Sequence, residues 1–193
     1  MILCNLEIQA ALDSQRLFLT PEPAPRRPVQ DEYCPYDTHS VDLKLATELI
    51  VPDEGAYNYD LMQKGSIAKF IAKNSRTIQL NSPFPLPKNQ FVLGITREYV
   101  HLPILPERET CLAARVEGKS SRARCGILVH FTAPTIHPGF EGNITLEIIN
   151  LGPVPFVLHA DMPICQLIIE EVRGIPFLKP SQFQGQKAAP GVA

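Results

Sequence analysis

Two short stretches carry side chains whose types and spacing suit chemistry. The first, GKSSRARCG at residues 118–126, sets Lys119, Ser120, Ser121, Arg122 and Arg124 between Gly118 and Gly126. Hydroxyls, cations and, if the turn forms a nest, backbone N–H groups gathered in one segment suit a polyphosphate. The second is Glu147 in ITLEII, a carboxylate inside an apolar β-branched run. Strand alternation puts Ile144, Leu146 and Ile148 on one face and Thr145, Glu147 and Ile149 on the other. If that second face is enclosed, desolvation raises the carboxyl pKa and fits Glu147 to take up and return a proton near neutral pH. The plain alternatives are a solvated basic turn and a strand glutamate facing water.

Other chemistries find little support. His101, His130, His137 and His159 show no HExxH spacing and join no CxxC pair, so no metal site is expected and they read as satisfied core or turn histidines. The zinc-deaminase pattern HxE followed by PCxxC is missing, as are GxxxxGK[ST], GxGxxG and GxSxG.

The elements that must hold these groups are short. SVDLKLA, KFIAK, TIQL, FVLGITREYVHL, CLAARV, CGILVHFTA, NITLEII, FVLHA and ICQLIIEEV are rich in β-branched and aromatic residues, and Pro, Gly and Asn separate them. Many short strands at this spacing predict an all-β sandwich or barrel. Ahead of them, residues 5–17 carry Ile8, Ala11 and Leu12 at helical spacing, with Arg16 near the end where a cation suits the helix dipole. The prolines of TPEPAPRRPVQ make residues 21–38 a loop or surface arm. The tail, SQFQGQKAAPGVA, has no apolar period and is expected to be mobile without a ligand.

With 193 residues the chain fits one domain, expected over 1–180 with a tail at 181–193. A net charge of −2 provides no global basic field for nucleic acid. Five scattered cysteines suit a reduced, cytoplasmic setting. MILCNLEIQAALDSQRL carries acidic residues early and breaks its apolar pattern, so neither a signal peptide nor a membrane span is expected there.

Taken together, MILCNLEIQAALDSQRL, SVDL, GITREYVHLP, GKSSRARCGILVH, TAPTIHPGFEGNITLEI and PICQLI resemble the dCTP deaminases of the trimeric dUTP diphosphatase superfamily. The resemblance implies a mainly β, distorted jelly-roll (β-clip, dUTPase-like) fold with a short N-terminal helix, assembled as a homotrimer with active sites between subunits. It implies that Lys119, Ser120, Ser121 and Arg124 grip a triphosphate, accompanied by Mg2+ that takes no part in the deamination. Glu147 would be the general base, drawing a proton from a water that Ser120 and Arg124 help to hold. Residues Ala133, Thr135, Ile136, His137 and Phe140 would line the pocket for base and deoxyribose, and Gln166 would lie near the nucleotide. Gln182, Phe183 and Gln186 fall in a segment resembling the family's lid.

The chain also departs from the family pattern. His137 stands where many relatives carry an aspartate for the 3′-hydroxyl, which puts pyrophosphate release in doubt more than deamination. Lys119 replaces a frequent arginine and loses its bidentate fork. Phe183 lacks a phenol oxygen, and Gln182 stands where a lysine often reaches the phosphates. Three functions follow as expectations: deamination of dCTP to dUTP, with dTTP as a possible inhibitor; dUTP diphosphatase activity, alone or after deamination; and a trimeric nucleotide-binding module without turnover.

Overall fold

The computed structural model describes residues 1–55, 60, 67–177 and 185–189. In chain order the elements are α1 (Asn5–Asp13), β1 (Phe18–Thr20), β2 (Val41–Lys44), β3 (Glu48–Pro52), α2 (Ile67–Lys73), β4 (Ser75–Gln79) and β5 (Phe84–Leu86). There follow β6 (Phe91–His101), β7 (Thr110–Gly118), α3 (Ser120–Ala123), β8 (Ile127–Val129), β9 (Thr135–Ile136), β10 (Glu141–Asn150), β11 (Phe156–Leu158) and β12 (Pro163–Arg173). A larger sheet runs β4-β3-β6-β10-β8 with β1 added beside β6, a smaller one runs β2-β12-β7-β9, and β5 pairs with β11. Every pairing within these sheets is antiparallel.

One apolar core joins the two main sheets. Leu49, Val92, Val100, Ile144, Leu146 and Ile148 from the larger meet Val41, Leu43, Ala114, Val116, Leu167 and Ile169 from the smaller. Burying each large aliphatic side chain contributes about 1.5–3 kcal/mol. On the other face of the larger sheet, Ile50, Leu93, Ile95 and Ala189 form a second cluster with Phe91 and Ile71 packed against it. Apolar cover on both faces explains why β6 reads as an unbroken apolar run, buried from Val92 to Thr96.

Several local expectations change in the folded chain. The first helix ends at Asp13 rather than near residue 17, because Gln15 turns to a φ of 57° and Leu17 donates back to the Ala11 carbonyl. Arg16 therefore does not sit on the helix end. Its guanidinium crosses instead to Glu171 at 3.0 Å and to Thr110 at 3.1 Å. Glu7 accepts from the Cys4 N–H at 2.9 Å and satisfies one donor at the helix start. KFIAK is not a strand but part of α2, where Ile67, Phe70 and Ile71 fall at helical spacing. Within CGILVHFTA only Ile127–Val129 is strand, since His130 takes a φ of 56°. The arm holds no helix or strand between Thr20 and Val41, yet Arg26 ties it to Asp13 at 2.8 Å and to Glu22 at 2.6 Å. None of the five cysteines forms a disulfide, and among the described residues no helix is long and apolar enough to cross a membrane.

A buried amide and a close glycine pair fix the turns around β8 and β10. Asn150, fully buried, donates from its amide to the Leu86 and Val154 carbonyls, while its oxygen accepts from the Gly152 N–H. Gly126 and Gly152 pass so closely that a Cβ on Gly126 would lie 2.5 Å from the Gly152 nitrogen. Gly126 also has a φ of 93°. Gly174 has a similar φ of 87° but, among the described residues, nothing within 4 Å of such a Cβ. Gly174→Ala should thus cost only backbone strain, about 1 kcal/mol, whereas Gly126→Ala adds a backbone collision and should cost about 2–4 kcal/mol. Urea denaturation of the two variants checks this; equal losses would contradict it.

Candidate active site

Glu147 lies where strand alternation places it, on the face of β10 away from the main core. Ile144, Leu146 and Ile148 point inward, and Glu147 pairs across β6 with Leu93 of the second cluster. Its side chain is 33% exposed and meets a histidine that is only 7% exposed. His130 Nδ1 sits 3.0 Å from Glu147 Oε2, close but off the line of a well-formed hydrogen bond. Two backbone features aim the ring. The His130 N–H donates to the Glu147 carbonyl at 2.8 Å, and Nε2 lies 2.9 Å from the Ala133 carbonyl.

This neighbour reverses the expected shift. Burial pushes the Glu147 pKa up, but the His130 contact and charge outweigh it, and the carboxyl ends below its ordinary value of 4.5. Burial pushes His130 down, while Glu147 and the Ala133 and Thr145 carbonyls lift it above 6.5. The expectation of a raised Glu147 omitted the partner. His130, which reads in the sequence as a satisfied core or turn histidine, is the neighbour of Glu147 that sequence reasoning does not point to. Its sequence signal is faint: a polar residue closing the short strand that pairs with the strand of the glutamate.

The basic turn leaves the smaller sheet at the end of β7 and enters the larger one at β8. A Cβ on Gly118 would lie within 4 Å of Val129, so the turn starts against the residue preceding His130. α3 is a single turn, in which the Ala123 N–H donates to the Lys119 carbonyl at 3.0 Å and Arg124 to Ser120 at 3.1 Å. Ser120, Ser121 and Arg124 are exposed, and among the described residues their side-chain hydroxyls and guanidinium have no partner. Lys119 differs, because it is ion-paired with Asp42 of β2. Among the described residues, the ion-pair partner of Glu147 is His130 and not a residue of the turn.

The other predicted residues divide. Ile136 is buried in the main core and Phe140 packs against it, while Ala133, Thr135 and His137 are exposed. Gln166 lies on β12 opposite Asp42, and its amide approaches the Gly118 carbonyl at 3.5 Å. Gln182 and Phe183 fall outside the described residues. Gln186 does not hang free as the composition of the tail suggested. Its side chain donates to the Asn143 carbonyl at 2.7 Å, Asn143 donates back to it, and the Ala189 carbonyl accepts from Thr145 at 3.1 Å. The exposed edge of β10 and the second apolar cluster supply the partners that the sequence pattern did not show.

The basic turn and the half-buried strand carboxylate are thus carried on two antiparallel β-sheets that share one apolar core. The crystal structure of 2′-deoxycytidine 5′-triphosphate deaminase from Agrobacterium tumefaciens shares this fold, with a TM-score of 0.61 over 89% of this chain at 17% identity. This chain spans about half of that protein, 47% of its length. The chain belongs to the dCTP deaminase-like family, whose sequence pattern matches residues 2–172. It is 34% identical to a dCTP deaminase of Thermomicrobium roseum over 97% of this chain and 90% of the relative. It is 38% identical to a dUMP-forming dCTP deaminase of Methanobrevibacter smithii over 74% and 70% of the two chains.

The pair has a testable pH signature. His130 is raised, so its contribution to stability is fully present below 6.5 and is lost as pH rises through the higher folded value. Glu147 is lowered, so its contribution is present above 4.5 and is lost as pH falls through the lower folded value. Wild type should therefore exceed His130→Asn in stability by more at about pH 5.5 than at about pH 9. Denaturant midpoints at both pH values measure this, and a pH-independent difference would contradict the pairing.

Proposed function

We propose that this chain converts dCTP to dUTP and ammonia by hydrolytic deamination, with Glu147 as general base. The observation that carries the reading is a half-buried carboxylate, held by a buried imidazole, in a chain of this family. Water attacks C4 of the cytosine as Glu147 takes its proton. The carboxyl delivers that proton to N3, then takes the remaining proton from the new C4 hydroxyl and hands it to the amino group, so that the C4–N bond breaks, the carbonyl forms and ammonia leaves. Ser120 and Arg124 hold the attacking water, and Lys119, Ser121 and Arg124 receive the triphosphate. His130 sets the strength of the base, because Glu147 is weaker while the imidazole beside it is charged.

The site is completed in a homotrimer, where the outward face of the larger sheet meets the basic turn of a neighbour. Phe131, 42% exposed beside Phe91, lies next to that face and supports the seam. Ala133, Thr135 and His137 face the base and sugar, and the segment from Gln182 through Gln186 closes over the nucleotide. Magnesium accompanies the triphosphate. There it would neutralise charge on the phosphate oxygens. The work belongs to cytoplasmic deoxynucleotide metabolism, and dTTP is a candidate inhibitor.

A second reading has specific support, since several relatives are dUMP-forming deaminases. There the triphosphate is cleaved after deamination, and His137, lacking a carboxylate, argues against it here. Incubation with dCTP and dUTP separates the readings: ammonia without pyrophosphate supports the first, and both together the second.

Glu147→Gln keeps the shape and removes the base. Ammonia release should fall by about 10²–10⁴-fold while dCTP binding persists. Retained turnover in that variant refutes the assignment. Removing residues 182–193 should raise the Michaelis constant for dCTP, and an unchanged value would remove the proposed lid.

A further inference from the structure

We propose that Asp42 is a positioning residue for the phosphate-binding turn and that Tyr33 acts through it, which makes the Pro-rich arm part of the nucleotide site. This rests on the reading of Lys119 as a phosphate ligand. SVDL runs into β2, and Tyr33 belongs to the Pro-rich arm. In the folded chain they meet at one carboxylate oxygen.

Asp42 lies on β2 with its side chain only 7% exposed, and its Oδ2 accepts from both Lys119 Nζ and the Tyr33 hydroxyl. A carboxylate this deeply buried must be paired or hydrogen-bonded to remain charged. Lys119 opens the basic turn, and its ammonium also lies 6.0 Å from the centre of the Tyr33 ring. The residue ahead of it is held as well. Gln166, opposite Asp42 in register, approaches the Gly118 carbonyl at 3.5 Å, and its own oxygen accepts from Ser40 at 3.1 Å. Ser40, Asp42 and Gln166 thus form a polar bed under Gly118 and Lys119.

The arm brings Tyr33 to this bed through its own anchors. Asp42 N–H donates to the Pro35 carbonyl at 2.8 Å, Asp37 N–H donates to the Ser40 carbonyl at 3.0 Å, and Gln9 donates to the Arg26 carbonyl at 2.6 Å. Held in this way, Lys119 has already lost the freedom of its long stem before a ligand arrives, and binding no longer bears that cost. An ammonium has three donors, so one spent on Asp42 leaves two for phosphate oxygens. The pair is close to neutral at distance. What it offers a phosphate is direction, in place of the fork that an arginine would bring.

The competing effect is repulsion, in which Asp42 merely opposes phosphate for possession of Lys119. A coupling experiment decides between them. Inorganic tripolyphosphate is titrated by calorimetry into wild type, Asp42→Asn, Tyr33→Phe, Lys119→Met and the two double variants carrying Lys119→Met. Positioning predicts binding about tenfold weaker for Asp42→Asn and about threefold weaker for Tyr33→Phe, with neither adding to the loss in Lys119→Met. Tighter binding by Asp42→Asn, unchanged binding, losses that add in the double variants, or no binding of the probe by wild type would each overturn the proposal. If Asp42→Asn shows no cooperative melting transition, the Tyr33→Phe and Lys119→Met cycle decides alone. Ammonia release from dCTP by wild type is measured in parallel. Coupled losses without ammonia overturn the deaminase reading only, and ammonia with additive losses overturns the positioning role only.

Discussion

The two-residue period of β10 governs what the rest of the molecule can do. Its inward side chains, Ile144, Leu146 and Ile148, are each 2% exposed or less, so a shift of one residue would bring Glu147 into the core and put aliphatic groups outside. The cost of such a slip would be about 1.5–3 kcal/mol for each displaced side chain, above the worth of a typical surface ion pair. Core packing therefore holds the carboxylate to one face and one height on the sheet. β6 on one side and β8 on the other transmit that register, and β8 delivers His130 to its place.

His130 and Glu147 illustrate how a buried partner changes the meaning of burial. Removed from water alone, the carboxyl would rise; beside an imidazole that gains from its charge, it falls. Each group makes the charged form of the other affordable. The positive φ of His130 ends β8 and turns the ring back toward the sheet, so a backbone conformation unusual for histidine positions the pair.

Much of this was legible in the residues themselves. The alternation of NITLEII gave the face of Glu147, and the spacing of short β-branched runs gave the antiparallel β architecture. What the sequence hid were relations between distant segments. KFIAK is too short for apolar content to separate helix from strand, and only its packing against the second cluster decides. The Asp42–Lys119 pair spans 77 residues and the His130–Glu147 contact depends on strand register, so neither leaves a local pattern. Gln186 and Ala189 gain partners from β10 that no reading of the tail's composition would supply.

Asn150 carries a different lesson, about chemical ageing. A single amide there holds two carbonyls with its nitrogen and one N–H with its oxygen, which ties the end of β5 to the loop that follows β10. Conversion of that side chain to an acid, the commonest spontaneous damage to asparagine, would set a negative oxygen against two carbonyl dipoles. The full burial that makes the residue irreplaceable also keeps out the water such damage needs, so the joint is shielded by the same packing it maintains.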